Sequence, residues 1–214
     1  MSFETVKQAL ENNNMAVYTV KNAAEALDTL KALLPAGCSV SVGGSMTLSQ
    51  CGVLELLGNG SYNYLDRYEA GLDAEGIRSV MLRALTADVY ISSANAVTEH
   101  GEIFNVDGNA NRVAPILYGP SSVILLVGKN KIVKDIHEAH IRVKTIAAPK
   151  NAQRLGCDTY CAKTGHCIAT EKENCSISDG CNSDKRICAD YVICARQRTK
   201  NRIKVILIDE ELGF

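Results

Sequence analysis

The sequence predicts an open, mostly parallel α/β sheet with helices on both faces and a Cys-rich irregular insertion before the last strand. Three observations carry this. Apolar runs of strand length, such as Val123 to Val127 and Val205 to Ile208, alternate with segments of helical period. Such an alternation builds a parallel sheet covered on both faces. Seven of the nine cysteines fall between Cys157 and Cys194, where the alternation stops.

Each element has its own local signal. Residues 2–13 set Phe3, Val6 and Leu10 at helical spacing, and Met15 to Val20 reads as a strand. Asn22 opens a second helix, with Ala23, Ala26, Leu27, Leu30, Ala32 and Leu33 on its apolar side. Pro35-Ala36-Gly37 ends it. Ser39 to Val42 is a short strand running into Gly43-Gly44-Ser45. Thr47 to Leu57 predicts a helix and Ser61 to Leu65 a strand. Asp73 to Leu85 is a helix carrying Ile77, Val80, Met81, Ala84 and Leu85 on one face. Ala87 to Ser92 and Val123 to Val127 read as strands, Lys131 to Ala148 as a long amphipathic helix, and Arg202 to Asp209 as the final strand. Residues 150–200 are polar and without period. A loop of about 50 residues lacking its own core draws its order from metal or cross-links. One domain over residues 1–214 is expected, with 150–200 as an insertion within it.

The formal charge of −1 and pI near 6.4 provide no global field for nucleic acid or an anionic membrane, so neither is expected as a partner. The first residues, MSFETVKQALENNN, lack the basic and apolar regions of a secretory signal, and no uncharged apolar stretch approaches the roughly 20 residues that span a bilayer. A cytoplasmic protein with reduced thiols is the expectation.

Four stretches bear chemistry. In SVSVGGSMTLSQCG, a glycine pair ends a strand, and Ser45 and Thr47 open a helix. Gly43 and Gly44 permit positive φ and close approach of backbone N–H groups to an anion; the structural alternative is a tight turn with an N-cap. The stretch SSANAVTEHGEIFNVDGNANRVAPILYGP begins where a strand ends, the place at which open α/β sheets bind ligands. It gathers Glu99, His100, Glu102, Asn105, Asp107, Asn109, Asn111 and Arg112 around Gly101 and Gly108. Glu99 or His100 suits a general base, and Arg112 suits a bidentate anion contact. The same residues also read as a hairpin turning at Asp107-Gly108. His137 and His140, three apart on a helix, read as a solvated face rather than a metal pair, and Cys38 and Cys51 as small buried hydrophobes.

The cysteine segment runs C-x3-C-x5-C-x7-C-x5-C-x6-C-x5-C from Cys157, without a C-x2-C knuckle or a ferredoxin run. Metal or cluster binding, a disulfide or redox pair, and plain packing all stay open on spacing. Lys163, His166, Lys172, Lys185 and Arg186 would help stabilise thiolates there.

SVGGSMTL, the 92–120 stretch, C…KTGHC…CNSDKRIC and the ending IKVILIDEELGF together resemble the LUD-domain family of lactate-utilisation proteins (DUF162 type), over nearly the whole chain. The resemblance implies the fold of the superfamily of glucosamine-6-phosphate deaminase, ribose-5-phosphate isomerase and CoA transferases. It places the family's glycine loop on Gly43, Gly44, Ser45, Met46 and Thr47, and its acidic and amide stretch on Glu99, Asn105, Asp107, Gly108, Asn109, Asn111 and Arg112. Many members have glycine where this chain has Ala110. The family's cysteine pattern falls on Cys161, Cys167, Cys181 and Cys188; 13 residues separate Cys167 from Cys181, where typical members have about two. Cys157, Cys175 and Cys194 fall outside it. The resemblance thus implies a protein of lactate or small-carboxylate metabolism that holds a small anionic metabolite between Gly43–Thr47 and Glu99–Arg112, with Glu99 or Asp107 as acid or base. Zinc or an iron–sulfur cluster is the expected cofactor of the four cysteines, and iron–sulfur redox subunits or a second copy of the chain are the expected protein partners. Two alternatives stand beside this: a non-catalytic redox-complex subunit docking through its cysteine segment, and an enzyme resembling CoA transferases or formyltetrahydrofolate cyclo-ligase.

Overall fold

The structure, a computed structural model, describes residues 3–214. Its strands are β1 (Ala16–Val20), β2 (Ser39–Val42), β3 (Asn63–Tyr64), β4 (Val89–Ser92), β5 (Ala96–Thr98), β6 (Ile103–Asp107), β7 (Ser122–Gly128), β8 (Ile132–Val133), β9 (Asp190–Cys194) and β10 (Ile203–Ile208). Six form one parallel sheet in the order β1-β10-β7-β4-β2-β3; the others form a second sheet, β8-β5-β6-β9.

Strand alternation assigns each residue of the large sheet to a face. Ile124, Leu126, Ile206 and Ile208 point to one side, with Val40, Val42, Val89 and Ile91. There they meet Ala26 and Leu30 of the helix Ala23–Leu33 and Leu48, Val53 and Leu57 of two short helices. Val123, Leu125, Val127, Val205 and Leu207 point to the other side. Val6 and Leu10 of the helix Phe3–Asn12 cover them, together with Val97 and Ile103 of the second sheet. The sheet is therefore buried on both faces, as its apolar runs require. No helix among the described residues is long and apolar enough to cross a membrane.

Four expectations about local structure change. The 47–57 helix is two helices, Met46–Gln50 and Val53–Leu57, because Gly52 between them has φ +70. The hairpin turns at residues 99–102, not at Asp107-Gly108. Gly101, at φ +76, packs so closely on the backbone of Ala9 and Leu10 that any Cβ there would collide with it. Asp107 instead ends β6. The long helix starts at Ile136 rather than Lys131, because the Asp135 carboxylate caps it by accepting from Glu138 N while the Glu138 side chain accepts from Lys134 N. It continues to Arg154 through a π turn at Val143–Ala147, in which Ala148 N reaches Val143 O just before Pro149, a residue with no N–H to give.

The cysteine segment is better ordered than its composition suggests. Thr159 caps a short helix, Tyr160–Thr164, that Gly165 closes at φ +83. A 3₁₀ turn comes next at Ile168–Glu171, and β9 pairs antiparallel with β6. Cys188, Ile177 and Tyr191 join Phe104, Val106, Ala139 and Val143 in a small core of their own.

Candidate functional site

Because the large sheet is parallel, the carboxyl ends of β2, β4 and β7 lie along one edge, where such sheets bind ligands. The chain leaves these ends through Gly43-Gly44-Ser45, Ser93-Ala94-Asn95 and Lys129-Asn130-Lys131, and a cleft of about 280 Å³ opens there. Gly44, Ser45, Arg67, Ser93, Asn95, Asp107, Gly108, Asn109, Asn111, Arg112, Lys131 and Arg154 are on its walls. The glycine loop and the 105–112 stretch thus meet across one cavity.

The roles within it differ from expectation. Arg112 does not reach for a ligand. Its Nε donates to Asp107 Oδ1 (3.2 Å), Nη1 to Ser93 O (3.2 Å) and Asn105 Oδ1 (2.8 Å), and Nη2 to Asn95 Oδ1 (2.9 Å) and Val106 O (2.8 Å). A guanidinium has five N–H donors, and all five are used within the protein. Asp107 is committed as well: its second oxygen accepts from the backbone N of Arg112 (2.8 Å) and of Val113 (3.2 Å), closing the loop after β6. Asn105 is fully buried, and its Nδ2 has no partner among the described residues. Glu99 sits in the hairpin turn, its backbone N bonded to Val133 O, and is not on the cleft wall. Neither glycine of the pair has positive φ. Gly43 is small for packing, since a Cβ would come within 2.9 Å of Ser92 Oγ, Arg112 Cγ and Tyr90 OH. Thr47 is buried beneath the cleft rather than on it. Ala110, at φ +54, holds a left-handed backbone that costs a non-glycine residue about 1–2 kcal/mol.

Lys131, Arg67 and Arg154 are cleft residues that sequence reasoning missed. Lys131 is 3% exposed yet on the cleft wall, and its Nζ donates to Thr47 Oγ1 (2.8 Å) and Ser93 Oγ (3.0 Å) with no carboxylate partner among the described residues. Burial, reinforced by the Arg142 and Arg112 guanidinium groups, pulls its pKa down to about 7. The available signal was its place just past the end of a parallel strand. Arg67 also faces the cleft, its guanidinium over the Tyr68 ring at 5.1 Å, with no acidic partner among the described residues.

The four cysteines of the expected metal set border one small cavity without being grouped closely enough to hold a metal ion. Cys161, Cys167, Cys181 and Cys188 line a small cavity of about 10 Å³ with Val143, Lys144, Ala148, Tyr160 and Ile168. Burial raises the thiol pKa of Cys161 and Cys167. Lys144, itself buried, donates to Asp179 O and Tyr191 OH. As donors, four thiols suit zinc or an iron–sulfur cluster. In spacing they do not: among the described residues no three His, Cys, Asp or Glu side chains are grouped to hold a metal ion. Cys38, Cys51 and Cys194 are buried. His137 is exposed, but His140 is buried, with Nε2 3.8 Å from Cys175 Sγ, so that helix face is only half solvated.

A family model described as the LUD domain matches residues 3–208. The chain belongs to the LUD-domain family. A crystal structure of a DUF162 family protein from Deinococcus radiodurans has the same fold as this LUD-domain chain, with a TM-score of 0.50 and 14% identity over 96% of this chain and 94% of that one. A partial likeness to eIF2B beta from Chaetomium thermophilum covers 54% of this chain and 44% of that one, at 14% identity and a TM-score of 0.37. No curated protein matches the sequence.

Two outcomes test the roles assigned here. Arg112→Lys should lower stability to urea by at least about 2 kcal/mol, because three donors replace five and buried acceptors lose partners; unchanged stability would remove Arg112 from its structural role. For Lys131 the folded pKa is depressed, so the unfolded chain binds more protons between about pH 7 and 10.5. The residue's contribution to stability therefore improves as pH rises through that window. Wild type should gain on Lys131→Met in denaturant midpoints between about pH 6 and about pH 9.

Proposed function

We propose that this LUD-domain protein binds a small anionic metabolite in the cleft and serves lactate or related small-carboxylate metabolism. The observation that carries the reading is charge. Arg67, Lys131, Arg112 and Arg154 are on the walls against a single acidic side chain, Asp107, which Arg112 already holds. Arg67 and Lys131 have no acidic partner among the described residues, Ser45 makes no capping bond with its hydroxyl, and Gly44 leaves the loop open beside them. An anion entering this space meets positive charge in surroundings partly shielded from water, where such contacts are strong. Family membership supports the metabolic assignment. Against the sequence-based expectation, Gly44, Ser45, Asn109 and Asn111 keep a place beside the ligand, Arg67 and Lys131 replace Arg112 as its charge partners, and Gly43, Thr47 and Asn105 support the walls from behind.

Calorimetric titration with a panel of small carboxylates and phosphorylated acids tests this. Arg67→Ala should weaken binding of the best ligand by about 1.5–3 kcal/mol. Affinity that is equal in wild type and variant would remove Arg67 from the site, and the absence of binding by every compound would remove the reading.

A second reading, a redox-complex subunit docking through its cysteine segment, rests on the convergence of Cys161, Cys167, Cys181 and Cys188 on one cavity. Zinc binding would need the four sulfurs to close to about 2.3 Å from one ion. Protein purified without oxygen should then carry stoichiometric zinc, or iron and sulfide with a brown colour, and lose it in Cys181→Ser. Metal-free protein in which all nine thiols titrate would leave this reading without support.

A further inference from the structure

We propose that Lys131 is a covalent site: its Nζ condenses with the carbonyl carbon of a small 2-oxo acid held in the cleft, forming an imine. The inference rests on the anion-binding reading of the cleft and adds to it a reaction and a substrate class.

The hydrogen bonds around Nζ carry it. Ser93 Oγ donates its one hydrogen to Leu126 O (2.6 Å), and Thr47 Oγ1 donates its own to Leu212 O (3.2 Å). Both hydroxyls therefore act toward Lys131 as acceptors only, and the amine supplies both hydrogens. A neutral amine has two N–H bonds and one lone pair, so these contacts consume its hydrogens and leave the lone pair uncommitted. The other buried cations of the region are spent differently. Arg142 donates to Asn130 O and Asn95 O, Lys144 to Asp179 O and Tyr191 OH, and neither is on the cleft wall. Lys131 thus combines burial, neighbouring positive charge, no carboxylate partner among the described residues and a place on the cleft wall. A desolvated lysine beside other cations is the arrangement that makes an amine nucleophilic near neutral pH, and the depressed pKa of Lys131 agrees with it. Arg67 on the same cleft supplies the charge for the acid's carboxylate, leaving its adjacent carbonyl for the amine.

The step balances without a further reagent. The amine nitrogen attacks the carbonyl carbon, a C=N bond replaces C=O, and the carbonyl oxygen departs as water with the two amine hydrogens.

The test uses the full chain with pyruvate, a small 2-oxo acid, and then sodium borohydride, which reduces an imine to a stable secondary amine. A single pyruvate adduct per chain is expected by intact mass, mapped to Lys131 by peptide analysis. It should disappear in Lys131→Met and fall several-fold in Arg67→Ala. Lactate, which has a hydroxyl in place of the ketone, should give none. Absence of the adduct, or labelling spread equally over exposed lysines and unchanged in Lys131→Met, overturns the proposal. Calorimetry on the wild type separates the two levels. Pyruvate that binds without being trapped sinks the imine and leaves the anion site standing, whereas pyruvate and lactate that both fail to bind sink the imine together with the site for these acids.

Discussion

The five N–H groups of the Arg112 guanidinium meet acceptors from two stretches of chain, Ser93 and Asn95 after β4 and Asn105, Val106 and Asp107 on β6. One side chain thereby fastens the edge of the large sheet to the second sheet. Other features depend on it. Gly43 has no side chain because one would collide with the Arg112 stem, and Asp107 closes the loop after β6 while it balances the guanidinium. Asn95 accepts at once from Arg112 and from Val106 N, and its carbonyl accepts from Arg142. The cleft keeps its shape because its rim is hydrogen-bonded shut from behind.

That fastening leaves a surplus of positive charge. Arg112, Lys131 and Arg142 gather near Asn95 and Ser93, and among the described residues Asp107 is the one carboxylate bonded to any of them. Buried charge without a partner is costly and tends to neutralise or to attract a counter-ion. Both responses fit a binding site: Lys131 gives up its proton readily, and an incoming anion relieves the field. Structural and functional cations are separated here by what their donors already touch, not by residue type.

Much of the fold was legible in the sequence, because strands buried on both faces leave continuous apolar runs and because Asn22 and Asp73 cap helices by side-chain chemistry that reads locally. The region of the cleft was legible for the same reason, since the loops after parallel strands gather along one edge of the sheet. The roles inside it were not. Arg112 has the composition of an anion contact, and only the three-dimensional placement of Asn95, Asn105 and Ser93 shows its donors to be occupied. Lys131 read as the start of a helix because the Asp135 cap that moves the helix start is indistinguishable, by period alone, from one more turn. The hairpin turn was misplaced because Asp107-Gly108 is a strong local turn signal, while the pressure that selects Gly101 comes from Ala9, some ninety positions earlier.

The pairing of β6 with β9 brings the two cavities side by side. Ile187 is on the wall of the cleft and crowds Gly108, and the next residue, Cys188, lines the cysteine cavity. Ala189 N then donates to Asp107 O, so the peptide that carries the thiol also holds the loop that carries the cleft wall. The partition between the two chambers is one residue thick. A displacement of this strand at Cys188 would therefore carry the loop after Asp107, and the cleft wall, with it.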